Sequence, residues 1–346
     1  RSNRAHWISG TGLAAKWDKS IPRNAIFKPQ YLMQIGEISM QKKYCLQSRV
    51  VLRNIGRSTD QRTLIAAMNP GYPSIHSVAS IRSDSCIHNY MLVSLMSSIV
   101  FDWCWRLKLV GSNQSWAFLS ETRIPPPSRI PEELGLLGLR ITANHIRYSK
   151  DWMEFNSYFH LSECGSPSEW FEICDDEAFR INAMIDAISA ATFGISSIDF
   201  SRIIIGCDYS AEKYSTKEVI DKMDPKGFWR NDKSQPLLNR STIAALLALS
   251  ELEVLITKTG SLKSAVSQFV GTNPTDGWKP PDSINPDTLK SITGGLIGNQ
   301  QYNSEELKYI SRNIPNNTTE TCEIPNNWSK VSQIAQIIEE ELKSTP

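Results

Sequence analysis

A chain of 346 residues, 40% hydrophobic and 21% charged, carries enough apolar material for a substantial core, which excludes wholesale disorder and suits two domains, or one large and one small. Its 37 basic and 36 acidic side chains leave a net charge of +1. A free-standing nucleic-acid binder is usually more basic, so contact with a polyanion requires local clustering of cations or a partner that supplies the rest of the field.

Residues 1–30 are broken by Gly10, Gly12, Pro22 and Pro29 and predict an irregular lead-in. Its Arg1, Arg4, Lys16, Lys19 and Arg23 suit a DNA groove or a wrap around a neighbouring domain. Residues 31–56 hold two strand-like runs, YLMQIGEI and YCLQSRVVLRNI. Alternation in the second puts Val50 and Leu52 on one face and Arg49 and Arg53 on the other, as phosphate contacts or as a solvated polar face. The polar, cationic stretch Arg57-Ser58-Thr59-Asp60-Gln61-Arg62 follows. Its hydroxyls, amide and guanidinium forks match base edges and phosphates; the alternative is a capped turn before a strand, with Ser58 or Asp60 capping and Arg62 paired with Asp60. Asn69-Pro70-Gly71-Tyr72 reads as a turn.

Residues 85–108 predict one amphipathic helix, with Met91, Leu92, Leu95, Met96, Ile99, Val100 and Trp103 as a core stripe. Arg106 and Lys108 sit in its last turn, where the helix dipole favours cations, and Gly111 stops it. Ser112, Asn113, Gln114, Ser115 and Trp116 form a polar loop with one aromatic, suited to a groove or to stacking on an unpaired base. Pro125-Pro126-Pro127 closes this part. From Pro131 the pattern is helical: EELGLLGLRITANHI, DWMEFNSYF and DDEAFRINAMIDAISAATFGIS, the last capped by Asp175 or Asp176 and stopped by Gly194. The stretch DPKGFWRNDKSQPLLNRSTIAALLAL lacks the carboxylate and lysine spacing of a metal-dependent nuclease and predicts a salt-bridged turn before a helix. In the terminal helix Val331, Ile334, Ile337 and Ile338 share a face that docks on the rest.

The seven cysteines (45, 86, 104, 164, 174, 207 and 322) are odd in number, form no C-x-x-C pair and fit no zinc spacing with histidine, so free thiols in a reducing cytoplasm are expected. There is no signal peptide and no apolar run of 18 residues, so no membrane span is expected. The opening at Arg1, without methionine, reads as a fragment or a processed product.

The order Arg53, Ile55, Ser58, Arg62-Thr63-Leu64-Ile65-Ala66-Ala67, then Ser97, Phe101-Asp102, Arg106, Lys108, Gly111, then Leu119 and Ile124-Pro125-Pro126-Pro127 resembles the target-recognition region of large bacterial N6-adenine DNA methyltransferases. These include type IIG restriction–modification enzymes and the methyltransferases of BREX and DISARM phage defence. The resemblance covers about Tyr31 to Gly194 and continues more loosely to Ser250, through Arg180, Asp186-Ala187, Ala190, Phe193-Gly194 and Ile195 and then Pro225, Gly227, Trp229, Arg230, Asp232, Pro236, Arg240, Thr242 and Leu247.

It implies an α+β fold, with a mixed α/β target-recognition subdomain over 1–130 and a helical spacer and recognition subdomain over 131–250; beyond it the runs LEVLITKTG, LKSAVSQFV and WSKVSQIAQIIEEELK predict a helical C-terminal region over 251–346. The resemblance implies sequence-specific binding of double-stranded DNA as the specificity part of an adenine methyltransferase, with Arg53, Arg57, Ser58, Thr59, Gln61, Arg62, Asn113, Gln114 and Trp116 as contacts. The chain has no G-x-G cofactor loop after a strand, no N-P-P-Y/F tetrapeptide, no P-loop, no H-E-x-x-H and no G-x-S-x-G. No cofactor or metal is therefore expected on this chain, and S-adenosylmethionine is expected on a catalytic half, on the same chain or on a partner subunit. The competing reading is a module whose polar face docks a defence-system protein without touching DNA. An enzyme in its own right ranks behind both.

Overall fold

A computed structural model describes residues 6–9, 16–18, 47–58, 60–74, 78–109, 111–114, 116–206, 227–295, 302–305, 307–311 and 323–344. The fold is α+β, with a small antiparallel sheet and a large helical part. Within residues 1–30, expected to be irregular, β1 (His6–Ser9) and β2 (Lys16–Asp18) form an antiparallel pair with Trp7 opposite Trp17. The strand expected at YLMQIGEI lies outside the described residues.

The main sheet has β3 (Ser48–Arg53) at its centre, with β4 (Ala66–Pro70) on one side and β5 (Val78–Ile81) on the other, both antiparallel to it. Val50 pairs with Met68 and Ile81, and Leu52 with Ala66 and Ala79. Val50 and Leu52 are buried, as the alternation predicts. Arg49 is buried too, because its guanidinium turns back to donate to the Tyr72 carbonyl at 2.7 Å. It is a brace for the turn after β4 and not a solvent-facing cation. That turn is held by Asn69, whose Oδ1 accepts from the Gly71 and Tyr72 N–H groups while Gly71 takes φ of 94°.

The single helix expected over 85–108 is two helices, α1 (Cys86–Ser97) and α2 (Ile99–Lys108). Ser98 divides them: its Oγ accepts from Phe101 N and donates to Leu95 O, so one hydroxyl caps both ends. Asp186 secures the break by accepting from Ile99 N at 2.6 Å. The helices α3 (Trp116–Glu121), α4 (Glu133–Thr142), α5 (Ser149–Phe159), α6 (Leu161–Cys164), α7 (Pro167–Phe171), α8 (Asp175–Phe193) and α9 (Ser197–Ile205) follow. After the undescribed 207–226 come α10 (Ser241–Thr259), α11 (Leu262–Val270), α12 (Pro286–Ile292) and α13 (Trp328–Ser344).

Two hydrophobic cores meet at α1 and α4. One gathers Val50, Leu52 and Met68 of the sheet with Tyr90, Phe101, Trp105, Trp152, Phe155 and Phe171. The other is helical, built from α8 against α10 with Leu95, Ile99, Ile188, Ala244 and Leu249 inside. Helix α1 lies tight on α4 because Gly138 has no side chain: a Cβ there would fall 2.7 Å from Tyr90 O. Helix α8 ends at Gly194 as expected, but its N-cap is Cys174 and not Asp175 or Asp176, and Asp176 instead accepts from Tyr309 Oη and Ser311 Oγ. Helix α13 docks on α5 through Val331 and Ala335, whereas Ile337, expected on the docking face, is exposed. No single described helix is long and apolar enough to cross a membrane.

Candidate nucleic-acid interface

The residues singled out in the sequence converge on the loop between β3 and β4 and on the segment 111–114 beside it. The two run antiparallel: Ile55 bridges Asn113, Gly56 N donates to Ser112 O at 3.0 Å, and Gln114 N donates to Asn54 O at 2.8 Å. The segment therefore extends the strand pairing beyond β3 and fixes where the loop leaves the sheet.

The loop is anchored from below by two buried carboxylates on helices. Asp102 of α2, 1% exposed, accepts from Thr63 N at 3.2 Å and Leu64 N at 2.8 Å, and binds the Nε and Nη2 of Arg106 at 3.1 and 3.0 Å. Arg106 in turn donates to the carbonyls of Asp60 and Gln61 at 2.9 and 3.0 Å and lies on the Phe228 ring, 4.0 Å from its centroid. Burial lowers the pKa of Arg106 from its usual value and Asp102 opposes that shift, so the guanidinium stays charged where it grips the loop. Asp186 of α8, 3% exposed, pairs with Arg62 at 3.5 Å. Burial pushes its carboxyl above the ordinary range, with Arg62 and the Ile99 N–H pulling it back.

The expected contact residues divide accordingly. Arg53, half-buried, is held on the loop itself: its Nη2 binds Asp60 at 3.0 Å and the carbonyls of Arg62 and Thr63 at 3.3 Å each. Arg62 pairs with Asp186, not with Asp60, and lies over Phe228. Gln114 donates its Nε2 to Thr63 O at 2.7 Å. Ser58 is half-buried, and Arg57, Gln61 and Asn113 are exposed at the tip. Thr59 lies outside the described residues, and Trp116 opens α3 with its side chain undescribed.

Sequence reasoning missed Asp102, Asp186, Phe228 and Asn231, whose Nδ2 donates to Gln61 O at 3.0 Å, and gave Asp60 its place in a capped turn but the wrong arginine. A signal existed for two of them. Asp102 and Asp186 interrupt apolar helical stripes, and a carboxylate at a core position demands a partner. Among the described residues the turn before α10 has no salt bridge at Asp232, and the Asp224–Lys226 part of the expected turn lies outside them. The Asp232 Oδ2 instead caps α10 by accepting from the Ser241 N–H and hydroxyl.

A second polar site lies between β4, α1, α5 and α13. It is a cavity of about 110 Å³ lined in part by Arg82, Cys86, Arg147, Asp151 and Glu154. Asp151 accepts from Tyr90 Oη at 2.6 Å, and burial raises its pKa to about 6. Burial, Asp151 and Glu154 together push the Cys86 thiol far above its usual range, so it is neutral and a poor nucleophile. Among the described residues no three His, Cys, Asp or Glu side chains are arranged to hold a metal ion. Compared with models of protein families, with curated proteins and with solved structures, the chain matches none.

Proposed function

We propose that this chain reads double-stranded DNA as the specificity part of an adenine methyltransferase in restriction–modification or phage defence. Its catalytic half, which carries S-adenosylmethionine, lies on the same chain or on a partner subunit, and the assembly works in the cytoplasm. The supporting observation is how the β3–β4 loop is held. Its carbonyls at Asp60, Gln61, Arg62 and Thr63 are all bound by side chains of the scaffold, while Arg57, Gln61 and Asn113 beside them are exposed. Preorganised polar side chains of that kind suit base edges and phosphates, since little ordering entropy is lost on binding.

Binding of a random-sequence duplex across a salt series tests the reading, with the chain alone and with its catalytic partner. A steep fall of affinity with salt is expected, and Arg57→Ala should reduce the slope of log affinity against log salt by about one phosphate contact. Gln61→Ala should weaken a cognate site by about 1–3 kcal/mol if it reads a base. No binding in either format would reject the reading. The docking alternative draws on two exposed apolar side chains, Ile55 after β3 and Leu107 in α2, exposed by 59% and 69%. It requires instead that Ile55→Ser abolish a protein contact that salt leaves intact.

A further inference from the structure

Three polar atoms just behind the loop are shielded from solvent and have no protein partner: Arg53 Nε, Trp105 Nε1 and Gln114 Oε1. Their side chains line one small cavity, walled on its apolar side by Leu52, Leu64 and Leu119. Trp105 is 2% exposed, so its indole N–H cannot reach bulk water. The Gln114 amide cannot be turned over to satisfy its oxygen, because its Nε2 is committed to Thr63 O at 2.7 Å. Arg53 is equally committed, through its Nη2 to Asp60 and to the Arg62 and Thr63 carbonyls. Buried polar atoms left in this state are costly, and a native core nearly always satisfies them.

We infer that this cavity is a binding site for one structural water molecule, which accepts from Arg53 Nε and Trp105 Nε1 and donates to Gln114 Oε1. The cavity measures about 10 Å³, the room that one water needs, and three partners is the usual number for a buried water. The donor pattern excludes the alternatives. A cation would face two N–H donors. An anion such as chloride would meet those donors well but would lie against the lone pairs of Gln114. Only a molecule that both accepts and donates completes all three bonds. The water joins β3 through Arg53, α2 through Trp105 and the 111–114 segment through Gln114. These are the three elements that set the position of the loop tip, and the inference stands whether or not the tip contacts DNA.

A high-resolution crystal structure of the unliganded chain, with a bromide soak alongside, decides the matter. Expected is one well-ordered peak about 2.7–3.2 Å from Trp105 Nε1 and Gln114 Oε1, with no anomalous bromide signal at the same place. Clear absence of a peak, an anomalous bromide peak, or a side-chain shift that pairs Trp105 Nε1 directly with Gln114 Oε1 would each overturn the assignment. In solution, Trp105→Phe keeps the aromatic packing and removes one donor. Amide exchange at Gly56 and Gln114, whose N–H groups bond across the loop base, should then quicken roughly five-fold, the factor expected for one net hydrogen bond. Unchanged exchange there would also count against it. If the variant does not fold, the crystal structure of the unaltered chain decides alone.

Discussion

Asp102→Asn is the most informative perturbation of the loop anchor. The carboxylate serves four donors, at Thr63 N, Leu64 N and two nitrogens of Arg106, with 1% of its surface exposed. Asparagine retains one oxygen. If that oxygen takes the three donors at Oδ2, the new NH2 group faces the Leu64 N–H and leaves a buried donor unsatisfied, at about 1–3 kcal/mol. Arg106, 11% exposed, also loses its countercharge. Stranding a buried charge outright costs about 3–5 kcal/mol, but the Asp60 and Gln61 carbonyls and the Phe228 ring remain to hold the guanidinium, which puts the pair at the low end of that range. A total of about 4–6 kcal/mol is therefore expected, a large share of the ~5–15 kcal/mol that holds a domain folded. Urea unfolding followed by far-UV circular dichroism reads the loss as a lower midpoint at unchanged slope. The internal control is Asp60→Asn, whose pair with Arg53 is 39% and 38% exposed and should be worth less than about 1 kcal/mol. If Asp102→Asn costs no more than Asp60→Asn, the anchoring argument is wrong.

Gly138→Ala should destabilise by about 1–3 kcal/mol in the same assay, because the added methyl meets Ser94 Oγ and Tyr90 O where α1 crosses α4; an ordinary helical glycine would gain stability from alanine. Asp151 titrates at about 6 in the fold against 3.8 ordinarily, so the folded state binds the extra proton between those values. Its contribution is full below 3.8 and is lost as pH rises through about 6, amounting to roughly 3 kcal/mol. Stability relative to Asp151→Asn, measured by urea unfolding from pH 3.5 to pH 7, should fall across that window, and a flat difference would reject the assignment. Arg62→Ala removes the group that pulls the Asp186 pKa down, so its destabilisation should be larger at pH 8 than at pH 5. Circular dichroism melts at the two pH values check the order.

The periodicities gave β3, the core stripe of α1 and α2 and the helices α4, α5, α8, α10 and α13, because each depends on burial that alternation or a 3.6-residue repeat encodes locally. The break at Ser98 was hidden, since its Phe101 and Leu95 bonds are local but the Asp186 carboxylate that stabilises the start of α2 comes from 87 residues away. The candidate site was legible as a place and not as a set of roles. A run of arginines, hydroxyls and amides shows that a polar loop exists, but which of them turn inward depends on carboxylates contributed by other helices. Arg53 was open to reading as a phosphate contact and Arg62 as a partner of Asp60, whereas Asp60 holds Arg53 and the distant Asp186 holds Arg62. Gln114 looked like a side chain for a ligand and instead supports a carbonyl.

The scaffold grips the β3–β4 loop largely by its main chain, the Arg62–Asp186 and Arg53–Asp60 pairs being the side-chain exceptions. Arg53, Arg106, Gln114 and Asn231 hold carbonyls, and Asp102 holds two backbone N–H groups. A grip on peptide groups is indifferent to the side chains those peptides carry. The tip positions 57, 58 and 61 can therefore exchange residue types over generations while the folding free energy stays nearly constant, provided the anchors in α2 and α8 are kept. Such an arrangement separates the residues under pressure to persist from those able to diversify, and lets one chassis acquire a new binding preference through a few substitutions at its tip.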